Sequence, residues 1–260
     1  MKKSEEELQK IVQEAVDKRK IISLVTYVIS DYGEKQLNII ISTILKKYNR
    51  EDLLDIAYTS AKELVINASK ANLKRVLFER LSLNIEDEKD YVTGMNYFAS
   101  HLSENKIRSY GQSFKEKNLP VTATFYYSPD VLNIKVKNNF KLEPMEEQRI
   151  RDKFDKATSF ASLLDFYVEH VDHTEGAGMG LTMVGILLDQ SGIDKHSFSL
   201  YSSEKYNETA AKLEIPLSSN YVPKRKAFEL EMEKRNIDTR DLRKSFSYTY
   251  KDFPGILRYD

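Results

Sequence analysis

The hydrophobic and polar positions of the chain follow a helical period over its first third. Apolar residues recur at spacings of three and four, which predicts helices over 5–31, 34–48 and 50–81. Residues 21–28 form a continuous apolar patch inside the first of these, and the patch alone is compatible with a helix or a strand. The side chain of Asn49 is expected to cap the third helix. The N-terminal part of the chain is therefore predicted to be mainly helical.

The period changes to an alternating one in two later stretches. Residues 120–127 and 131–138 alternate and are rich in β-branched and aromatic residues, and the Ser-Pro-Asp sequence at 128–130 marks a turn between them. A second pair of strands is predicted over 196–201 and 210–215. Each pair is expected to form a hairpin. Further helical segments are predicted within 84–118, over 144–171 and over 223–235.

Three alternate glycines, Gly176, Gly178 and Gly180, stand between a polar run at 172–175 and an apolar run at 182–188. This order predicts a loop that leads into a buried helix. Glycines let the backbone approach a ligand, and the first turn of a helix offers free N–H groups, so the expected guest is a phosphate. The spacing matches neither a dinucleotide-binding loop nor a Walker loop. The motif alone leaves a phosphate site and an ordinary glycine-rich loop open.

One side of the predicted third helix carries three polar residues. Glu63, Asn67 and Lys70 stand at i, i+4 and i+7, beside a stripe of small and apolar residues that is typical of a buried face. Considered alone, the three are typical of a solvated helix edge with a weak ion pair. They indicate a ligand site only in combination with the rest of the chain.

The overall composition narrows the class of protein. The 260 residues carry 40 basic and 40 acidic side chains, so the net charge gives no general reason to bind nucleic acid or an acidic membrane. The chain has no cysteine, which excludes disulfides and fits a reducing compartment. The start of the chain does not resemble a secretory signal, and no apolar stretch is long enough to span a bilayer. We therefore expect a cytoplasmic protein that binds neither nucleic acid nor membrane.

Two stretches, taken together with the order of the elements, resemble a known superfamily. The stretch 63–71, Glu-Leu-Val-Ile-Asn-Ala-Ser-Lys-Ala, is similar to the asparagine box of the histidine-kinase-like ATPases, and 176–181 is similar to their second glycine box. Thr209, seven residues before Pro216, matches the threonine that members place on the strand beside the adenine. The superfamily includes gyrase, MutL, the ninety-kilodalton heat-shock chaperone, the sensor histidine kinases and the anti-sigma-factor serine kinases. The resemblance covers roughly 51–217.

The resemblance implies an α+β fold and a division of the chain. The fold is a two-layer sandwich, in which a mixed, mainly antiparallel sheet is covered on one face by helices, with helical extensions at both ends. The implied ATPase domain spans 51–218. Residues 1–50 would form a helical region for dimerisation or partner docking, and 219–260 a charged helix with an aromatic tail. We expect a protein partner, as regulator or substrate, and consider a homodimer.

The resemblance also implies Mg-ATP as the ligand and assigns roles to residues. Asn67 would offer its side-chain oxygen to the magnesium ion, and Glu63, one turn earlier, would act as general base near the γ-phosphate. Lys70 would pair either with a phosphate or only with Glu63, and Thr209 would lie beside the adenine. The phosphates would be covered by the glycine loop, from which we expect contacts by Gly176, Gly178, Met179, Gly180 and Leu181.

One element departs from the superfamily pattern. The first glycine box, Asp-x-Gly-x-Gly, supplies an aspartate that accepts a hydrogen bond from the adenine amine. In the equivalent stretch 136–142, Asn138 takes the place of the aspartate and both glycines are missing. An asparagine oxygen can accept the same bond without the charge, provided that neighbouring groups set the orientation of its amide.

Two functions follow from this mixture of matches and departures. The first is an ATP-binding signalling protein that hydrolyses ATP or phosphorylates a protein serine, with Glu63 as base. The alternative is a degenerate pseudo-ATPase that acts as a protein-interaction scaffold. A sensor histidine kinase core is disfavoured because no acceptor-histidine motif precedes the asparagine box.

Overall fold

A computed structural model describes residues 3–148 and 179–246 of the chain. Its centre is a five-stranded sheet in the order β1-β2-β3-β5-β4, in which every neighbouring pair is antiparallel. The strands are β1 (Ile22–Thr26), β2 (Val121–Tyr127), β3 (Val131–Asn138), β4 (Phe198–Ser203) and β5 (Glu208–Pro216). Both predicted hairpins, β2-β3 and β4-β5, are therefore confirmed.

Helices precede, separate and follow these strands. The described ones are α1 (Glu5–Asp17), α2 (Asp31–Lys47), α3 (Leu54–Arg80), α4 (Glu88–Ala99), α5 (Glu104–Ser109), α6 (Gly111–Glu116), α7 (Met179–Gln190), α8 (Lys224–Arg235) and α9 (Thr239–Ser245). Residues 144–148 are also helical, and the rest of the predicted helix 144–171 lies outside the described residues. No helix in the described part of the chain is both long and apolar enough to cross a bilayer.

The first predicted helix is shorter than its pattern indicates. Ser4 and Glu7 form a reciprocal capping box at the start of α1, but the helix ends at Asp17 and Arg19 adopts a left-handed conformation with φ of 53°. The apolar patch after it forms β1, which pairs with β2 at the edge of the sheet. A helix over 5–31 is therefore wrong in its second half. Of the two structures left open for the patch, the strand is the one observed, because its β-branched residues gain a ladder with β2.

The start of the third helix also differs from the prediction. Asn49 adopts a left-handed conformation with φ of 55° in the turn after α2, and it does not cap α3. A short 3₁₀ turn, Glu51–Leu53, leads into α3, whose N-cap residue makes no side-chain cap bond. The predicted cap fails because Asn49 reverses the chain, which an asparagine tolerates better than most residues.

The hydrophobic core lies between the sheet and the helices on one of its faces. Alternate residues of β2 and β3, such as Phe125 and Ile134, are fully buried. They belong to one hydrophobic cluster with residues of α1, α2, α3 and α7. Ala57, Ala61 and Ala68 of α3 are in that cluster, which confirms the predicted stripe of small residues. Small side chains let a helix axis approach a sheet closely. The α+β class with helices layered on a sheet is thus confirmed.

The core crosses the predicted boundary at residue 50. Leu24 of β1 and Ile44 of α2 belong to the same cluster as Leu64 of α3, and β1 is a strand of the common sheet. The region 1–50 is therefore not purely helical. Its role as a separate unit for dimerisation or docking stays a prediction.

The second half of α3 has a smaller core of its own. Leu73 and Leu77 pack with Phe98 of α4, Ile107 of α5 and Phe114 of α6. This cluster fixes the far end of the long helix, so both halves of α3 are held in place. The polar side of α3 with Glu63, Asn67 and Lys70 is therefore part of a helix that is packed at both ends.

Helix α8 confirms the helix predicted over 223–235. Charged side chains connect it to residues 194–196, which lie just before β4. His196 contacts Asp194 through Nδ1 and Glu229 through Nε2, the latter at 2.8 Å, and Lys226 pairs with Asp194. Burial alone would raise the pKa of Asp194, but hydrogen bonds from Lys226 and His196 lower it to about 2. The aromatic tail predicted after α9 lies outside the described residues.

Candidate functional site

The polar side of α3 carries the three residues that the sequence singled out. Asn67 Nδ2 donates a hydrogen bond of 3.1 Å to Glu63 Oε1, and Lys70 Nζ lies 4.0 Å from the same oxygen. The side chains of Glu63 and Lys70 are each only 14% exposed. The three polar groups therefore form one contiguous, largely buried cluster, and they are not a solvated edge.

Burial dominates the electrostatics of Glu63. It raises the pKa of the carboxyl group above its ordinary value, and the nearby charge of Lys70 and the hydrogen bond from Asn67 offset only part of the shift. A carboxylate with a raised pKa accepts a proton more readily than an exposed glutamate. The site thus supplies a group suited to general-base chemistry.

The orientation of Asn67 decides which of its atoms is left for a ligand. Its nitrogen is committed to the carboxylate of Glu63, so its oxygen is the atom that can coordinate a cation. No group of three or more acidic or histidine side chains that could hold a metal occurs among the described residues. A magnesium ion at this site would therefore depend on the Asn67 oxygen together with phosphate oxygens, which matches the habit of Mg²⁺ to use one or two protein ligands beside a nucleotide.

The two residues predicted to lie beside the adenine are direct neighbours in the sheet. Asn138, at the end of β3, stands opposite Thr209 of β5, and both are buried. Asn138 Nδ2 donates to the backbone oxygen of Ala68 at 3.0 Å and to Asn72 Oδ1 at 2.7 Å. Since Ala68 follows Asn67 on α3, the structure brings the polar pair of the sheet next to the polar cluster of the helix.

The segment that replaces the first glycine box is tied down by side chains. The backbone oxygens of three successive residues, Asn139, Phe140 and Lys141, each accept a hydrogen bond. The donors are Asn207 Nδ2 at 3.3 Å, Thr209 Oγ1 at 2.7 Å and Arg75 Nη2 at 3.1 Å. A segment without glycines and with these bonds has little freedom to adapt to a ligand.

A buried ion cluster holds the same segment against α3. Glu146 is 3% exposed and pairs with both Lys74 and Arg75, and the Arg75 guanidinium lies 4.6 Å from the centroid of the Phe140 ring. Burial alone would raise the pKa of Glu146, but the two cations outweigh it and lower that pKa. The cluster therefore ties Glu146, which follows this segment, to α3.

Sequence reasoning missed Asn72, Lys74, Arg75 and Glu146. Asn72 carried a signal, because it is an amide four residues after Ala68 on the otherwise small and apolar stripe of α3. The charged residues carried none, since Lys74 and Arg75 look like ordinary surface cations and their partner is distant in sequence.

The glycine loop is only partly within the described residues. Gly176 and Gly178 lie outside them, whereas Met179, Gly180 and Leu181 form the first turn of α7. Val184 and Leu188 of this helix are buried in the common core that includes α3. The predicted buried helix after the glycines is confirmed, and contacts between the loop and phosphates stay a prediction.

Comparisons with known proteins add one relative. A protein of Treponema pallidum (strain Nichols), described as an uncharacterized protein, is 29% identical over 205 residues. The match covers 79% of this chain and 39% of the relative, so this chain corresponds to well under half of that protein. No protein-family model and no solved structure matches the chain.

Proposed function

We propose that the chain is a cytoplasmic regulatory protein that binds Mg-ATP with the site formed by α3, β3, β5 and α7. One observation carries the proposal. Asn67, which bonds to Glu63, directly precedes Ala68, whose backbone oxygen accepts a hydrogen bond from Asn138, and Asn138 in turn stands opposite Thr209. Residues predicted from separate parts of the sequence for the phosphate end and the adenine end of one nucleotide thus lie on adjoining parts of α3, β3 and β5, which supports the proposal.

Each residue has a chemical role in this proposal. The Asn67 oxygen would hold the magnesium ion, which when bound supplies positive charge against the phosphate oxygens. Lys70, a member of the same cluster, adds a further positive charge that is partly neutralised by its ion pair with Glu63. The N–H groups of the first turn of α7 would face the phosphates. Asn138 and Thr209 would bind the purine.

Glu63 is the candidate general base. Its buried carboxylate, with a raised pKa, would take a proton from a water molecule or from the hydroxyl group of a protein serine as the oxygen attacks the γ-phosphate. The first outcome is ATP hydrolysis and the second is protein phosphorylation, which resembles the reaction of the anti-sigma-factor serine kinases. A protein partner, as substrate or regulator, is part of the proposal.

A pseudo-ATPase scaffold is the second candidate. It is favoured by the stretch after β3, where Asn139, Phe140 and Lys141 are bound by side chains of the protein itself and Glu146 is locked to α3. A site fixed in this way binds a nucleotide weakly if its shape does not already fit. In this case the protein acts through its surfaces.

Calorimetric titration with Mg-ATP and Mg-ADP distinguishes the two candidates. We expect the wild type to bind both, and Asn67→Ala to lose magnesium-dependent binding. Asn96→Ala, which removes an exposed asparagine of α4, is the matched control and should bind like the wild type. Absence of binding to the wild type would rule out the ATP site and leave the scaffold.

Turnover is tested separately from binding. Glu63→Gln keeps the shape of the side chain but cannot accept a proton, so we expect turnover to fall at least about a hundredfold while ATP still binds. Turnover is measured as phosphate release, with and without candidate protein substrates. ATP binding with turnover that does not depend on Glu63 would contradict its role as base.

A further inference from the structure

Both side-chain amide hydrogens of Asn138 are donated to acceptors within the protein. The Nδ2 group has two hydrogens, and it has two acceptors, the Ala68 backbone oxygen at 3.0 Å and Asn72 Oδ1 at 2.7 Å. A backbone oxygen cannot donate, so the nitrogen and not the oxygen of Asn138 must face Ala68. The side-chain oxygen of Asn138 is therefore the atom that can meet a ligand.

The orientation of Asn72 is fixed in the same way. This residue is fully buried, and its Nδ2 donates to the backbone oxygen of Leu119 at 2.7 Å. Its oxygen must then point away from Leu119 and toward Asn138. A chain of three hydrogen bonds, anchored at both ends on backbone oxygens, thus sets the direction of two buried amides.

Thr209 offers an acceptor as well. Its hydroxyl hydrogen is donated to the backbone oxygen of Phe140 at 2.7 Å, which leaves lone pairs of the hydroxyl oxygen. Because Thr209 is the cross-strand partner of Asn138, the two residues present acceptors side by side. A ligand group that meets them has to donate hydrogen.

We propose that Asn72 is a positioning residue that makes the site select a purine with an amino group, as in adenine, over one with an oxygen at the same place, as in hypoxanthine. This inference rests on the proposed ATP site and adds the residue that determines its base specificity. Asn72 acts through Asn138, whose amide it holds with the oxygen outward. An inverted amide would instead donate to a 6-oxo purine, at the loss of both bonds to the protein.

The test compares ATP with inosine triphosphate, which differs from ATP by an oxygen in place of the amine, by calorimetric titration. For the wild type we expect ATP to bind about a hundredfold more tightly, which is the factor for the two hydrogen bonds that oppose inversion of Asn138. Asn72→Leu removes one of these bonds and should reduce the preference to about tenfold.

Two control variants separate the effect of losing the Asn138–Asn72 hydrogen bond from the effect of replacing any buried amide. Asn72→Asp in its protonated form is isosteric with asparagine, still accepts from Asn138 and should retain the preference. Asn133→Val removes a buried amide from the opposite face of β3 and should also retain it. A general loss of stability would weaken the binding of both nucleotides equally and leave their ratio unchanged.

The outcomes separate this inference from the proposed function. Binding of ATP by the wild type with the same nucleotide preference in Asn72→Leu overturns the role of Asn72 alone. Failure of the wild type to bind either nucleotide overturns both proposals. If Asn72→Leu does not fold, hydrogen exchange of the Asn138 side-chain amide in the wild type decides. Slow exchange with and without ATP supports the inference, and fast exchange without ATP overturns it.

Discussion

The two faces of strand β3 each bury an asparagine, and the two asparagines are treated differently. On the face covered by α3, Asn138 donates both amide hydrogens to fixed acceptors. On the opposite face, Asn133 is fully buried, and neither polar atom of its side chain has a hydrogen-bond partner among the described residues. The residues that surround it in the sheet include Glu214, opposite Asn133 in the register with β5.

The difference teaches that burial alone does not mark a functional amide. A buried polar group without partners costs free energy, whereas one with fixed partners has a defined direction. The helix-covered face combines defined direction with proximity to Glu63 and Asn67. The opposite face is instead organised by ion pairs, such as Glu208 with Lys135 at 3.1 Å. The nucleotide site that we propose lies on the first face.

The largest effect is expected from Asn138→Asp, which introduces the aspartate found at this place in the histidine-kinase-like ATPase pattern. A carboxylate in this position would face two acceptors, the Ala68 oxygen and Asn72 Oδ1, without a hydrogen to offer. We expect the free energy of unfolding to fall by about 3 kcal/mol at neutral pH, and ATP affinity to fall with it. Chemical denaturation measures the change. Unchanged stability, or tighter binding of ATP, would show that the amide hydrogens of Asn138 are not needed.

A smaller effect of opposite sign is expected on the other face. Asn133→Val removes a buried amide for which the described parts of the chain offer no hydrogen-bond partner, and it places a good strand former in β3. We expect the free energy of unfolding to rise by about 1 kcal/mol. The same denaturation experiment checks this, and a loss of stability similar to that of Asn138→Asp would break the contrast between the two faces.

The smallest effect concerns two carboxyl groups at opposite ends of the site. The pKa of Glu63 is raised mainly by burial, so ionisation of this group destabilises the fold as pH rises above 4.5. The pKa of Glu146 is lowered by its two cations, so its ion pairs stabilise the fold above that pH. At neutral pH, Glu63→Gln should therefore raise Tm by about 2 °C, and Glu146→Gln should lower it.

Thermal unfolding of both variants at pH 7 and pH 4 measures this. Below pH 4.5 the carboxyl group of Glu63 is neutral, and that of Glu146 protonates at a lower pH because its pKa is lowered. The difference in Tm between the two variants should therefore be smaller at pH 4 than at pH 7. A destabilised Glu63→Gln at pH 7 would contradict the cost assigned to burial of this carboxylate.

Local patterns were sufficient to predict much of the fold. The hairpins, the polar side of α3 and helix α8 follow from alternation, helical spacing and turn residues within short windows, as Glu63 and Asn67 illustrate. The end of α1 at Asp17 and the reversal at Asn49 were missed, because left-handed residues in those turns leave no periodic signal.

The site was predictable only in part, for a related reason. Residues that contact each other along one helix could be found from spacing, but the bonds of Asn138 to Asn72 and of Glu146 to Arg75 join residues 66 and 71 positions apart. Such contacts depend on how β3 is laid against α3. Nucleotide binding, the reaction and the partner stay predictions.

The place of β1 in the sheet has a consequence for the order in which the chain folds. Ile22 of β1 pairs with Phe125 of β2, so the edge of the sheet forms only after the intervening helices have been synthesised. Pairing of strands so distant in sequence is slow compared with helix formation. Until β2 and β3 emerge from the ribosome, the apolar faces of α2 and α3 lack the sheet that covers them in the folded protein, and exposed apolar surface of this kind favours aggregation of the nascent chain.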